Sequence, residues 1–245
     1  MRKTQVLPFK LYLVTLALGL SLVVGTQGCK SKSKTSKTPV TTKKSTPKVQ
    51  EPKVAKKNVV LFLGDSLTAG YRLAASEAYP YLINSHWKKQ GFPWRARNAG
   101  VSGDTSAGVI RRLDWVLSKE VVAVFLCIGA NDGLRGQSIK QLQKNLSTII
   151  QAIQKKNIKV ILAGITLPRN YGKNYYSKFE NTYAKLAKQY KLPMMPFLLK
   201  DVAGIKKLNL SDGIHPNTKG HQIVAKNVLA FFKKQSLFPR SPATK

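Results

Sequence analysis

Between residues 58 and 235, short apolar runs alternate with stretches in which apolar residues recur every three or four positions. That alternation is the signature of a parallel sheet covered by helices on both faces. It predicts strands over 59–63, 95–98, 121–128, 158–165 and 193–196, and helices over 75–90, 105–119, 138–156, 175–190 and 217–233. The clearest helix is 138–156. Ser138 and Gln141 form a capping-box pattern, and Ile139, Leu142, Leu146, Ile149, Ile150 and Ile153 fall on one stripe. The helix over 75–90 tolerates Pro80 near its start and stops at Gly91. Helix 217–233 buries Ile223, Val224, Val228, Phe231 and Phe232. No internal repeat is visible. The expected fold is α/β: a three-layer α/β/α sandwich around a five-stranded parallel, flavodoxin-like sheet.

The front of the chain follows a different pattern. Arg2, Lys3 and Lys10 precede an almost unbroken apolar run over 11–24. Fourteen residues suit the apolar region of an export signal better than a bilayer span. Gly25, Thr26, Gln27 and Gly28 then lead to Cys29. A small residue before a cysteine just past such a run resembles a bacterial lipoprotein cleavage site, with Cys29 as the lipidated first residue. Thr26 departs from the aliphatic usual in such boxes, and an ordinary cleaved signal would leave Cys29 incidental. Residues 29–57, rich in Lys, Ser, Thr and Pro, have no aromatic residue and no periodicity, so they are expected to form a disordered tether. The resulting organisation is a signal at 1–28, a tether at 29–57, one folded domain at 58–236 and a C-terminal tail at 237–245. Cys127, inside an apolar run, reads as a core residue, and no disulfide is expected.

Charge changes the picture of partners. The 245 residues carry 42 Lys/Arg against 10 Asp/Glu, a formal net charge of +32. Residues 1–57 contribute 13 cations against one acid, a net of +12, and the rest contributes 29 against nine, a net of +20. The basicity is therefore general. It favours anionic partners such as phospholipid head groups, nucleic acid, or teichoic and nucleotide-bearing substrates, although a merely solvated basic surface accounts for it equally well. A lipid at Cys29 with a polybasic segment behind it would give the two signals that firm membrane attachment requires. No nucleic-acid-binding motif accompanies the charge, so no specific nucleic acid is expected as a partner.

Candidate chemistry collects where strands end. Polar clusters follow the ends of three predicted strands: Gly64-Asp65-Ser66, Ser102-Gly103-Asp104, and Gly129-Ala130-Asn131-Asp132. A fourth, Asp212-Gly213-Ile214-His215, precedes the last helix. In a parallel sheet all four lie at one edge, outside the carboxyl ends of the strands, where ligands bind in open α/β sheets. A serine nucleophile needs a base and a group that holds the base's tautomer, and Asp212 and His215, three apart, can supply that pair for Ser66. Pro216 disfavours helical backbone at His215. The Ser66 and Gly103 backbone N–H groups and the Asn131 side-chain amide are candidate donors to a developing oxyanion. Each residue also has a plainer reading: Ser66 as a helix cap, Asn131 and Asp132 as a turn. Asp65, Asp104 and Asp132 are expected to bond loop backbone, and His86 and His221 to be structural or exposed. The three histidines are scattered without a ligand cluster, so no metal and no cofactor is expected. There is no G-x-S-x-G elbow of the α/β-hydrolase kind.

Together Gly64-Asp65-Ser66-Leu67, Gly103, Gly129-x-Asn131-Asp132 and Asp212-x-x-His215-Pro216, in this order, resemble the four blocks of the SGNH/GDSL hydrolase superfamily. The likeness covers nearly all of 58–235. It is closer still to the periplasmic acylesterase, thioesterase I and lysophospholipase branch, through Gly-Asp-Ser-Leu-Thr-Ala-Gly-Tyr, Ser-Gly-Asp-Thr-Ser, Asn-Asp-Gly-Leu-Arg-Gly, Leu-Pro-x-Asn-Tyr-Gly and Asp-Gly-Ile-His-Pro. Ala130 stands where a Gly is often found, a position that varies in the family. The resemblance implies the SGNH hydrolase fold, Ser66 as nucleophile, His215 as base, Asp212 as its orienter, and Ser66, Gly103 and Asn131 as the oxyanion hole. It implies an esterase or thioesterase acting on lysophospholipid, aryl or thioester substrates. The rivals are a carbohydrate O-acetyl esterase on cell-envelope polysaccharide and a non-catalytic basic lipoprotein that binds anionic polymer. The loop over 167–172 is placed to cover an acyl group, or is a plain surface connection.

Overall fold

The computed structural model describes residues 58–240. The expected signal segment, Cys29, the tether and the last five positions of the tail lie outside the described residues. Five parallel strands, β1 (Val59–Gly64), β2 (Arg95–Gly100), β3 (Val121–Cys127), β4 (Lys159–Ala163) and β5 (Met194–Met195), are ordered β2-β1-β3-β4-β5. This is the flavodoxin-like order, with a topological switch point between β1 and β3 where a crevice opens. Around the sheet lie α1 (Ser66–Ala69), α2 (Tyr79–Lys89), α3 (Ser106–Val116), α4 (Ala130–Leu134), α5 (Ile139–Lys155), α6 (Lys173–Tyr190) and α7 (Thr218–Lys234).

Strands covered on both faces lose the polar alternation of half-exposed ones. All six residues of β1 are buried, as are six of the seven in β3. The edge strand β2 instead carries Arg95 and Arg97. Arg95 pairs with Glu120 at 3.0 Å, and Arg97 donates to the Val116 carbonyl and to Ser118. Charge on an edge strand discourages pairing with a foreign strand. The core is densely aromatic where β1 meets the C-terminal helix. Phe62 packs against Tyr79, Phe125 and Phe232 with ring centroids 5.3–6.3 Å apart.

The two shortest helices, α1 and α4, were not among the predicted elements, because four or five residues leave no room for a periodic signal. Each follows a strand that ends in a polar cluster. Asp65 caps α1 by accepting the Leu67 N–H at 3.0 Å. A side chain on Gly64 would collide with Thr68 and with the Cys127 carbonyl, so only glycine lets α1 settle directly onto the strand ends. α2 starts at Tyr79, four residues later than expected, with Pro80 in its first turn where proline costs no hydrogen bond. Cys127 is buried in the sheet, as expected of a core residue.

The described end of the chain differs from a free tail. After α7 the chain turns back, and Phe238 is buried against Trp87, Trp94 and Phe232, with centroids 4.9–5.6 Å apart. Trp94 donates its indole N–H to the Pro239 carbonyl at 3.0 Å, and Arg240 donates to the Gln90 carbonyl. Residues 237–240 therefore belong to the packed body, and the aromatic partners of Phe238 supply the reason. Phe238→Ala is expected to destabilise the fold by about 3 kcal/mol, as for other buried aromatic truncations. The denaturant midpoint would fall accordingly, whereas a loss under about 0.5 kcal/mol, the scale of a surface change, would mark 237–240 as peripheral.

Candidate active site

The carboxyl ends of β1, β2 and β3 and the loop before α7 bring the four polar clusters to one edge of the sheet. Ser66, the first residue of α1, stands at the end of β1. Its Oγ lies 2.8 Å from His215 Nε2, and His215 Nδ1 lies 2.8 Å from Asp212 Oδ2. The other Asp212 oxygen accepts the backbone N–H groups of Ile214 and His215, each at 3.0 Å.

The loop carrying these residues is held from both sides. Asn209 and Pro216 form an antiparallel bridge, and the Leu210 N–H donates to the His215 carbonyl at 2.8 Å. The Asn209 amide donates to the carbonyls of Val202 and Ile205, while Asn217 caps α7 and donates to the Lys207 and Asn209 carbonyls. His215 is thus fixed in direction by backbone that has little freedom left.

Electrostatics sets the tautomer. Partial burial would by itself raise the Asp212 carboxyl, but the hydrogen bonds from the His215 ring and from the His215 and Ile214 N–H groups outweigh it and hold the group below the usual carboxylate range. Asp212 is then an ionised acceptor, so Nδ1 of His215 donates to it. In a neutral imidazole this leaves the Nε2 lone pair to accept a hydrogen bond from the Ser66 hydroxyl.

On the other side of Ser66, Gly103 adopts φ +81°, a left-handed conformation natural to glycine. The Asn131 amide donates one N–H to the Asp104 carbonyl at 2.9 Å and keeps its second N–H. Ser66 opens α1, where the first backbone N–H groups have no intrahelical acceptor. Below the mouth lies a pocket of about 360 Å³. Ser66, Asn131 and His215 line it together with Leu134, Ile165, Leu167, Phe197, Leu199 and Ile214, so its wall is mainly apolar.

Comparison with known proteins bears directly on this arrangement. Residues 62–223 match the model of the GDSL-like lipase/acylhydrolase family. The chain belongs to that family. It is 39% identical over 170 residues to the esterase TesA of Pseudomonas aeruginosa, covering 69% of this chain and 85% of that protein. Thioesterase 1/protease 1/lysophospholipase L1 of Escherichia coli K12 is 38% identical over 174 residues, 71% of this chain and 82% of that one. Among solved structures, a crystal structure of TesA aligns with TM-score 0.69 at 37% identity, covering 72% of this chain and 99% of that one. The psychrotrophic esterase EstA from Pseudoalteromonas sp., in a structure inhibited by monoethylphosphonate, aligns with TM-score 0.71 at 33% identity, covering 73% and 98%. The family's α/β fold, with its five-stranded parallel sheet, is the one described above.

Around the GDSL serine the structure adds residues that the polar clusters alone did not single out. Arg112, on α3, donates to Asp104 Oδ2 at 2.8 Å, to the Ala99 carbonyl at 2.8 Å and to the Gly64 carbonyl at 3.0 Å. One guanidinium therefore ties the ends of β1 and β2 to the Gly103–Asp104 turn. Nothing in the sequence marked it beyond its place on a predicted helix. The Tyr71 ring lies 4.5 Å from the His215 ring, and the Arg72 guanidinium lies over Tyr71 at 5.1 Å. Tyr71 did have a signal, as the last residue of the Gly64–Tyr71 block. Asp132 accepts the N–H and hydroxyl of Ser106, fixing the start of α3 to α4, and Asn145 donates to the same hydroxyl at 2.9 Å. The three aspartates at the strand ends bond neighbouring backbone as expected. Of the remaining histidines, His86 is exposed and His221 is buried, its Nδ1 accepting the Tyr79 N–H at 3.3 Å.

Two buried groups near the site oppose each other in pH. Burial pushes His221 down to about 4, partly offset by Glu77. Burial pushes Asp65 up to about 7, with the Leu67 N–H bond opposing and the Asp104 and Asp132 charges adding, and its Oδ2 has no hydrogen-bond partner. For His221 the unfolded chain binds the extra proton between its ordinary value near 6.5 and 4, so stability is lost as pH falls through that window. For Asp65 the folded chain holds the extra proton between 3.8 and 7, so stability is lost as pH rises. The expected outcome is that the stability difference between the natural chain and His221→Gln shrinks by about 3 kcal/mol from pH 6.5 to 4. The difference for Asp65→Asn runs the other way. Parallel curves for either variant in chemical unfolding would contradict the assignment.

Proposed function

We propose that the chain is a serine ester hydrolase that works through an acyl-enzyme on Ser66. The observation that carries this reading is the unbroken chain Asp212 Oδ2, His215 Nδ1, His215 Nε2, Ser66 Oγ, with both contacts at 2.8 Å. In the proposed reaction His215 Nε2 takes the Ser66 proton as Oγ attacks the acyl carbonyl, and the imidazolium is stabilised by the Asp212 carboxylate. The carbonyl oxygen becomes an oxyanion, met by the backbone N–H groups of Ser66 and Gly103 and by the free N–H of Asn131. His215 then gives its proton to the departing alcohol or thiol, leaving an ester on Ser66. Water enters, loses a proton to the same Nε2 and releases the acid by the same two half-steps.

The substrate reading is an acyl ester or thioester of lipid or aryl type. Support comes from the relatives named esterase, arylesterase and thioesterase 1/lysophospholipase L1, and from the apolar wall of the pocket. The mainly apolar lining of this pocket of about 360 Å³ favours an acyl chain over the polar sugar that the O-acetyl esterase alternative would have to seat. Thr166, Leu167 and Pro168 line the pocket, consistent with the 167–172 loop covering that chain. At the front of the chain, Cys29 is proposed as a lipidated first residue that holds the enzyme at a membrane of the cell envelope. Among the described residues no helix is long and apolar enough to cross a membrane.

Ser66→Ala is expected to fold normally and to lose turnover across nitrophenyl esters from acetate to palmitate, acyl-CoA and lysophospholipid. Retained hydrolysis would remove Ser66 from the reaction, and a preference for acetate in the natural chain would overturn the acyl-chain reading. Asn131→Ala should lower kcat about 10²–10³-fold, equivalent to roughly 2.7–4 kcal/mol of transition-state stabilisation, with KM little changed. For the anchor, Cys29→Ala should abolish incorporation of radiolabelled fatty acid in bacterial cells expressing the chain. Unchanged labelling would place any lipid elsewhere.

A further inference from the structure

The charge of the folded domain is not spread evenly. Crossover helices run antiparallel to the strands they join, so the helix C-termini gather at the amino-end edge of the sheet, opposite the Ser66 site. Four helices end there on lysine pairs: Lys88 and Lys89, Lys155 and Lys156, Lys188 and Lys191, Lys233 and Lys234. All eight side chains are exposed, as are Lys119 and Lys159 in the segments that enter β3 and β4. Only two carboxylates are described at this end, Asp114 and Glu120, and both are already paired, with Lys156 and Arg95. The opposite edge holds six of the chain's ten acids, Asp65, Glu77, Asp104, Asp132, Asp201 and Asp212. That edge carries cations as well, among them Arg135, Lys173, Lys206 and Lys219, but its carboxylates offset much of their charge. The lysines of the base are almost unopposed, so the base is the more positive pole.

Helix dipoles favour cations at helix C-termini, and that accounts for part of the pattern. It does not account for Trp115. This residue, near the C-terminus of α3, is 86% exposed, whereas among the described residues the next most exposed large apolar side chain, Tyr81, is 49% exposed. Arg111 precedes Trp115 by one helical turn and shares its face, and Lys119 follows it. A fully presented tryptophan set among lysines and arginine suits the interfacial zone of a bilayer, where the ring enters the headgroup layer and the cations meet anionic lipid. A soluble polyanion without rings, such as a polyphosphate, would satisfy the lysines and leave the indole without a partner. A single-stranded nucleic acid could stack on one ring but has no binding motif to meet here. The chain also enters the domain at this end, since Asn58 leads directly into β1.

We propose that the lysine-rich base around Trp115 is a docking surface for an anionic lipid bilayer. The Ser66 pocket, on the opposite edge, then faces away from the bilayer on which the domain sits. Substrate would reach the pocket from the aqueous side or from an apposed surface, and not by lifting out of the lipid directly beneath. The docking does not depend on what Ser66 hydrolyses, and its test reads binding and not turnover.

The experiment titrates the full chain with equimolar phosphatidylglycerol/phosphatidylcholine vesicles and with phosphatidylcholine alone, following Trp115 emission by difference against Trp115→Phe. The expected result is a blue shift and quenching by brominated lipid on the anionic vesicles only, reversed by about 0.5 M salt. Lys88→Glu/Lys119→Glu/Lys188→Glu should weaken the transition at least about tenfold, while Lys206→Glu/Lys207→Glu at the opposite edge changes it by less than about twofold. The triple variant should keep normal hydrolysis of a soluble short-chain ester, which verifies its fold. Unchanged Trp115 emission while the chain is vesicle-bound would overturn the proposal. So would an equal loss from the Lys206/Lys207 pair, or the same emission shift on a soluble polyanion.

Discussion

One hydrogen bond, between Ser66 and Nε2 of His215, joins residues 149 positions apart and sets what the rest of the chain must do. Its two ends stand at the start of α1, just past the first strand, and in the loop before the last helix. Every crossover between them adds to the sheet that holds those ends within 2.8 Å. A contact this short tolerates little slack, because a displacement of about 1 Å is enough to cost a proposed nucleophile most of its alignment. The buried strands β1 and β3 supply the rigid side of the contact, and the doubly anchored loop from Asn209 to Asn217 supplies the other.

The proposed oxyanion side is held by a different device. Arg112 is mostly buried beside Asp104, with side-chain exposures of 18% and 10%. Three of its five N–H donors, one on each nitrogen, reach Asp104 and two strand-end carbonyls at the edge where Gly103 must be placed. Breaking such a pair from one side leaves the other charge stranded in a poorly solvated place, which makes the arrangement rigid as well as selective. Asp65 is the cost of the same crowding. Its carboxyl caps α1 through one oxygen and leaves the other buried without a partner.

How far the sequence carried the description follows from what each feature depends on. The five strands and the long helices depend on local periodicity, and Val59–Gly64 or Ile139–Lys155 could be read directly from the apolar pattern. The clusters after β1 and β3 were legible because they interrupt apolar runs. Those after the polar β2 and before α7 were legible only as turn-forming Gly/Asp stretches, and parallel topology puts the strand ends together. α1 and α4 were not legible, since a single helical turn has no period to detect. Arg112 was hidden for another reason: its role comes from Gly64 and Ala99, 48 and 13 positions away, and no local pattern records that. The packing of Phe238 on Trp87 and Trp94 is a tertiary fact of the same kind, and it moves the end of the body from the expected 236 to at least 240.

The two ends of the sheet carry different chemistry, and a single fold rule accounts for the separation. Helices that return antiparallel to their strands must deliver their C-termini to the edge opposite the strand carboxyl ends. Any sequence that completes its helix dipoles with lysine therefore builds positive charge at the base. Carboxylates that cap strand-end loops, as Asp65, Asp104 and Asp132 do, collect at the other edge beside Ser66. A chain with an excess of lysine thus becomes polar along the strand direction without any residue placed for that purpose. Trp115 is the exception, because neither capping nor core packing explains an indole exposed at the positive pole. Helix chemistry can distribute the charge. The exposed ring at the more positive end is the feature there that the proposed bilayer contact, with its apolar interior, would cover and a purely ionic partner would not.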